Sequence, residues 1–221
     1  MRNAPAGRGD DTIGFGEKPR MEISKTVLAW TVFAVFHSLT ISEGYERLAR
    51  RMMGEAAFAA YHRLLFTAYS TAATVAVLLY IDSLPDAPLF RIAGWSRWLF
   101  HGVQALGVAL LFWTPWDLKE FVGLRQWERR RRAEEAGGGR NDRLFTEAAY
   151  GLVRHPLYLG CSLILAFHPV QTRNSFASTA AIVAYFYVGS FFEERRMARK
   201  FGDAYREYQR RVPRFFPFPR P

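Results

Sequence analysis

Residues 24–42 read Ser-Lys-Thr-Val-Leu-Ala-Trp-Thr-Val-Phe-Ala-Val-Phe-His-Ser-Leu-Thr-Ile-Ser, with no acidic residue and one lysine near the start. As a helix rising 1.5 Å per residue, the run spans about 28 Å, close to the ~30 Å hydrocarbon core of a bilayer. Residues 58–81 form a second apolar block, with His62 and Arg63 near its first turn, where they can snorkel to headgroups. Residues 95–116 form a third, and its tryptophans at 95, 98, 113 and 116 put two at each end, as an interfacial aromatic belt requires. Two further arms, 157–170 and 171–192, make an apolar hairpin. The first arm gives only about 21 Å as helix, so it starts earlier, tilts, or turns back before crossing. The pattern predicts an all-α, polytopic membrane bundle of about five transmembrane helices with a C-terminal amphipathic helix.

Composition alone conceals this. The chain has 221 residues, enough for one domain, and is 50% apolar and 16% aromatic, yet its mean hydropathy is −0.09. The average looks soluble because arginines separate the apolar blocks. A net charge of +10 would suit nucleic acid, but no nucleic-acid-binding motif is present, and cations flanking spans are explained by membrane topology. Most Lys and Arg fall in the loops after the first and third spans and in the tail after residue 193, so that side is expected to be cytoplasmic in an inner or plasma membrane. Cys161 is the only cysteine, which rules out an intramolecular disulfide and a cysteine-rich metal site; no metal centre is expected. Residues 1–22 read as a disordered leader and 23–221 as one membrane domain. Residues 43–55 alternate Tyr45, Leu48, Met52 and Met53 with Glu46, Arg47, Arg50 and Arg51, an amphipathic interfacial helix. Residues 84–88, Leu-Pro-Asp-Ala-Pro, mark a turn, and Gly137-Gly138-Gly139 a flexible break. In the tail, Phe201, Tyr205, Tyr208 and Val212 share one helical face; taken in isolation, such a basic helix is an anchor on anionic lipid.

Chemistry concentrates at the ends of the hairpin. Tyr150-Gly151-Leu152-Val153-Arg154-His155-Pro156-Leu157-Tyr158-Leu159-Gly160 opens it, and Phe192-Glu193-Glu194-Arg195-Arg196 closes it. Ionisable groups at the mouth of a membrane segment are costly and therefore functional candidates. Pro156 suits the first turn of a helix, which puts His155 at the N-cap and free N–H groups beyond it, where an anion or carboxylate can bind. Gly160 permits close approach by a ligand or a helix. Tyr158 adds an aromatic plane and a hydroxyl, and paired Glu193 and Glu194 can hold an ammonium group. Together these groups match a zwitterionic, cationic cofactor such as S-adenosylmethionine.

The hairpin resembles the core of membrane methyltransferases of the isoprenylcysteine carboxyl methyltransferase type, whose pattern is Arg-His-Pro-x-Tyr-x-Gly followed by Glu-Glu. The likeness covers residues 150–217 and includes Phe201-Gly202-Asp203-x-Tyr205-x-x-Tyr208-x-x-x-Val212-Pro213; the cofactor-binding core is expected over 144–217. It implies that His155, Pro156, Tyr158, Gly160, Glu193 and Glu194 bind S-adenosyl-L-methionine, with Arg154 shaping the site. Elsewhere, Phe36-His37-Ser38-Leu39, Tyr61-His62-Arg63-Leu64-Leu65-Phe66 and the run from Trp116-Asp117 through Glu120-Phe121 to Gly123-Leu124-Arg125-Gln126 look like the methanethiol S-methyltransferases. Thr67 stands where that family often has asparagine. This likeness implies a small-molecule thiol such as methanethiol as acceptor and dimethyl sulfide as product. A thiol attacks well only as thiolate, and Arg125, Arg154 or His37 would supply the cation that lowers its pKa. The rival readings are carboxyl methylation of a prenylated cysteine or N-methylation of a phospholipid amine, either requiring a lipid-accessible groove. A non-enzymatic, denitrification-associated membrane protein is disfavoured by the presence of both hairpin motifs.

Overall fold

The computed structural model describes residues 18–115, 117–131 and 144–216. The glycine break at 137–139, Trp116 and the leader up to residue 17 lie outside them. The first helix, α1 (Lys18–Thr40), begins inside the expected leader, so residues 18–22 are helical. It is followed by α2 (Glu43–Met53), α3 (Glu55–Asp82), strand β1 (Pro88–Arg91), α4 (Ser96–Trp113), α5 (Leu118–Val122) and α6 (Leu124–Arg131). After residue 143 come α7 (Ala149–Leu152), α8 (Pro156–Ala166), β2 (Val170–Thr172), α9 (Arg173–Phe201) and α10 (Asp203–Arg211).

The architecture is the all-α membrane bundle that the sequence predicts. Among the described residues, three helices are long and apolar enough to cross a bilayer: Glu22–Thr40 within α1, α3 and α9. The other two expected spans are helical but differ. With 18 residues, α4 reaches about 27 Å, and Arg97, His101 and Gln104 dilute its apolar character. With 11 residues, α8 reaches only about 16 Å. Leu28, Leu79, Leu106 and Phe112 are exposed on the bundle surface, which suits a lipid environment rather than water.

The short arm nevertheless matches the height of its partner. His155, just before α8, meets Glu194 on α9, and β2 leads directly into the far end of α9. From Arg173 to Glu193 an α-helix rises about 30 Å. The first arm covers the same height with its half-length helix plus extended chain at ~3.3 Å per residue. Ending a helix at membrane depth leaves carbonyls without partners. Two side-chain amides cover the last turn: Gln104 Nε2 donates to Ile164 O at 2.9 Å, and Gln171 Nε2 to Leu165 O at 3.0 Å, where His168 N also donates at 3.4 Å. Ser175 Oγ donates to Gln171 Oε1 at 2.6 Å and holds that amide in place. Pairing of β1 with β2, antiparallel, ties the two connections at this end together.

Helix α8 lies tightly on α4. A Cβ on Gly160 would stand 2.8 Å from Gly107 O, and one on Gly107 2.7 Å from Gly160 O; two bare glycine faces let the backbones touch. Helices α1 and α9 run parallel, linked by Thr26 Oγ1 donating to Asn174 Oδ1 at 3.4 Å near one end and by Ser38 Oγ and Tyr185 Oη at 3.3 Å near the other. The α5–α6 elbow is capped by Asp117, which accepts from Glu120 N at 3.1 Å. It turns at Gly123 (φ +90°), where a Cβ would meet Leu64 N at 2.6 Å, so the elbow sits directly on α3. The amphipathic tail does not present its apolar face to lipid. Tyr205, Tyr208 and Val212 are buried against Leu144, Met197, Ala198 and Phe201, and Tyr208 Oη donates to Tyr150 O at 2.7 Å.

Candidate functional site

The strand-like residues before α8 and those after α10 pair through their backbones: Arg154 N donates to Pro213 O at 2.9 Å and His155 N to Arg214 O at 3.2 Å. This pairing brings four side chains onto Glu194, which is 4% exposed. Arg154 donates to Oε1 from Nε at 2.8 Å, with Nη2 also at 2.8 Å. Arg214 reaches both oxygens, at 3.0 and 2.7 Å. Gln209 Nε2 donates to Oε2 at 2.9 Å, and His155 Nε2 lies 3.2 Å from Oε1. A buried charge persists only when its partners surround it in this way. Arg154 directs Nη1 to the carbonyls of Gln209 and Val212, so each of its guanidinium nitrogens is engaged. Arg154 and Glu194 therefore form the buried part of the cluster.

Glu193, one position along, is the more open carboxylate, its side chain 38% exposed. Its Oε2 accepts from Tyr158 Oη at 3.0 Å and lies 3.7 Å from His155 Nδ1. Beside it, His155 stacks on Tyr158 (centroids 5.4 Å apart, planes 1° apart), and Tyr158 on Phe186 (4.8 Å, 5°). Phe215 packs 5.5 Å from the His155 ring. Burial, reinforced by the nearby Glu193 charge, raises the pKa of the Tyr150 hydroxyl. Burial likewise raises Tyr205 and Tyr208, so these phenols stay neutral, and Tyr208 donates to the Tyr150 carbonyl. An open carboxylate beside stacked aromatic faces suits an organic cation.

Of the residues singled out in the sequence, Arg154, His155, Tyr158, Glu193 and Glu194 are thus brought together. Pro156 starts α8, and His155 occupies the N-cap without a side-chain cap bond. The bare face of Gly160 is filled by α4. Arg125 pairs with Asp117 in the elbow. His37 lies among α1, α3 and α9, its Nδ1 3.2 Å from Ser70 Oγ and its ring between Phe33 and Phe66. Sequence reasoning missed Gln209, Arg214, Phe186 and Phe215. Arg214 and Phe215 directly follow the Val212-Pro213 element and Gln209 lies inside the tail motif, whereas Phe186 sits in a featureless apolar arm. Two apolar grooves lie away from the Glu193–Glu194 cluster. One of about 540 Å³ runs between α1 and α9 beside Leu89 and Arg173; the other, about 450 Å³, runs between α1 and α3.

No family model matches the chain, and no solved structure matches it. Several named proteins do. Methanethiol S-methyltransferase 2 of Bradyrhizobium diazoefficiens is 30% identical over 194 residues, 86% of this chain and 71% of the relative. Methanethiol S-methyltransferase of Mycobacterium tuberculosis is 29% identical over 202 residues, 85% of this chain and 75% of the relative. That of Pseudomonas deceptionensis is 25% identical over 202 residues, 86% and 71% respectively. With the hairpin residues assembled on a membrane bundle and the likeness extending over most of both chains, this protein belongs to the methanethiol S-methyltransferase family.

Proposed function

We propose that the protein is an S-adenosyl-L-methionine-dependent membrane methyltransferase that S-methylates a small thiol, methanethiol, to dimethyl sulfide. The observation that carries this reading is the open Glu193 carboxylate beside the His155–Tyr158–Phe186 ring stack. This donor set fits a molecule with an ammonium group, a sulfonium and a flat base. When bound, S-adenosylmethionine supplies a methyl group on a positively charged sulfur. Glu193, with Tyr158 holding its Oε2, receives the ammonium group, and the stacked rings offer their faces to cation or base. Glu194 holds His155 and the tail in place. The chain's main contribution is positioning, which by itself lowers a bimolecular barrier by roughly 7–11 kcal/mol when geometry is ideal. The site end of the bundle faces the cytoplasm in this reading, where the methyl donor is made.

The test is purified protein with labelled S-adenosylmethionine and a panel of methanethiol, prenylcysteine and phospholipid amine. Dimethyl sulfide in the headspace is the expected product. Label in a prenylcysteine ester or a methylated lipid amine, with none in dimethyl sulfide, overturns the acceptor assignment while retaining the methyltransferase; label in no product overturns both.

A further inference from the structure

His37 lies in the last turn of the membrane-spanning helix α1, where an ionisable residue is a functional candidate. Its ring is enclosed by Phe33 at 5.3 Å, Phe66 at 5.0 Å and Tyr185 at 6.0 Å, and its Nδ1 lies 3.2 Å from Ser70 Oγ. Among the described residues, no hydrogen bond engages Nε2. The apolar groove between α1 and α3 runs from Lys25 and Tyr80 at one end to Phe33, Phe36 and Tyr69 at the other. Phe33, which lines the groove, stacks on the imidazole, so one ring separates the inner end of the groove from this polar pair. On the far side, Tyr185 is followed by Phe186, whose ring stacks on Tyr158 in the carboxylate site.

We propose that the His37–Ser70 pair is the binding site of the acceptor thiol, which enters laterally from the bilayer along the α1–α3 groove. The inference rests on the thiol-methylating reading above and deepens it. The occupant is small and neutral: a simple thiol is mostly protonated near neutral pH and dissolves in lipid. The polar complement it requires is one acceptor for its S–H at the end of an apolar channel. Ser70 is a positioning residue: with Nδ1 donating to Ser70 Oγ, Nε2 keeps a lone pair for the thiol. Methylation forms a carbon–sulfur bond at the acceptor, breaks one at the donor and releases the thiol proton. Nε2 takes that proton, and the ring carries the positive charge until the proton passes to water. Arg154 is committed to Glu194 and two carbonyls, and Arg125 to Asp117; neither charge is needed at the sulfur.

The decisive measurement needs no methyl donor. Full-length protein labelled with nitrogen-15 histidine is titrated with methanethiol, and the ring signal absent from His37→Ala is followed. It is expected to shift in the unsubstituted protein and in Ser70→Thr, which keeps the hydroxyl, and to shift less in Ser70→Ala. In the turnover assay, His37→Ala is expected to lower kcat about a hundredfold. Ser70→Ala should lower it about tenfold, with Ser70→Thr restoring the rate. Ala73→Leu, which narrows the groove, is expected to raise KM for methanethiol about tenfold with donor affinity unchanged by calorimetry. An unshifted His37 signal in folded protein overturns the proposal, whether or not dimethyl sulfide is made. A shifted signal without dimethyl sulfide upholds the site and sinks only the assigned reaction.

Discussion

At Glu194, two arginines, a glutamine and a histidine converge on one buried carboxylate. Glu194→Gln leaves Arg154 and Arg214 without their counter-charge, and it should destabilise the protein by about 3–5 kcal/mol, read as a lowered unfolding midpoint in detergent. Glu193→Gln should behave differently. Its side chain is partly open and, among the described residues, holds Tyr158 and His155, so the fold should survive while donor affinity falls by about 1.5–3 kcal/mol in calorimetric titration. The Arg154-His155-Pro156 and Glu193-Glu194 pairs were legible in the sequence because their spacing is local and their charge is out of place at an apolar boundary. Arg214 was not: it is one of many tail cations, and only the backbone pairing of residues 154–155 with 213–214 selects it.

At the scale of elements, hydropathy revealed where the helices lie but not where α8 stops. Its short length depends on Gln104 and Gln171, two amides far apart in sequence that meet its last carbonyls. Gly160 had two readings in the sequence, ligand approach or helix contact, and only three-dimensional packing shows Gly107 opposite it. Gly160→Ala places a Cβ against the α4 backbone at 2.8 Å and should cost about 1–3 kcal/mol through overpacking, seen as earlier thermal unfolding. The elbow offers a pH test. The Glu120 N–H, with Arg125 close by, lowers the Asp117 pKa below the ordinary carboxylate value. Its stabilising effect is therefore complete above that ordinary range and lost as pH falls through the depressed value. Amide protection in residues 118–126, relative to the intrinsic exchange rate, should fall on acidification below the ordinary carboxylate range, and Asp117→Asn should abolish that dependence.

For the whole molecule, the clustering of cations beyond α9, around α2 and after α4 predicts a cytoplasmic site. Gly138→Cys in a Cys161→Ser background should resist an impermeant maleimide in intact cells and react after permeabilisation. Labelling of intact cells reverses the orientation. The bundle and its basic flanks were visible in the sequence, whereas the fate of the tail was not, since an amphipathic basic helix suits lipid and protein surfaces equally until Leu144 and Met197 are placed beneath it. That docking has a consequence for biogenesis. Arg154 precedes Glu194 by 40 residues and Arg214 follows it by 20, so translation delivers the carboxylate well before its last partner. During vectorial synthesis the carboxylate therefore lacks its last partner until residue 214 has been made, and the site closes only when the tail folds back against the hairpin.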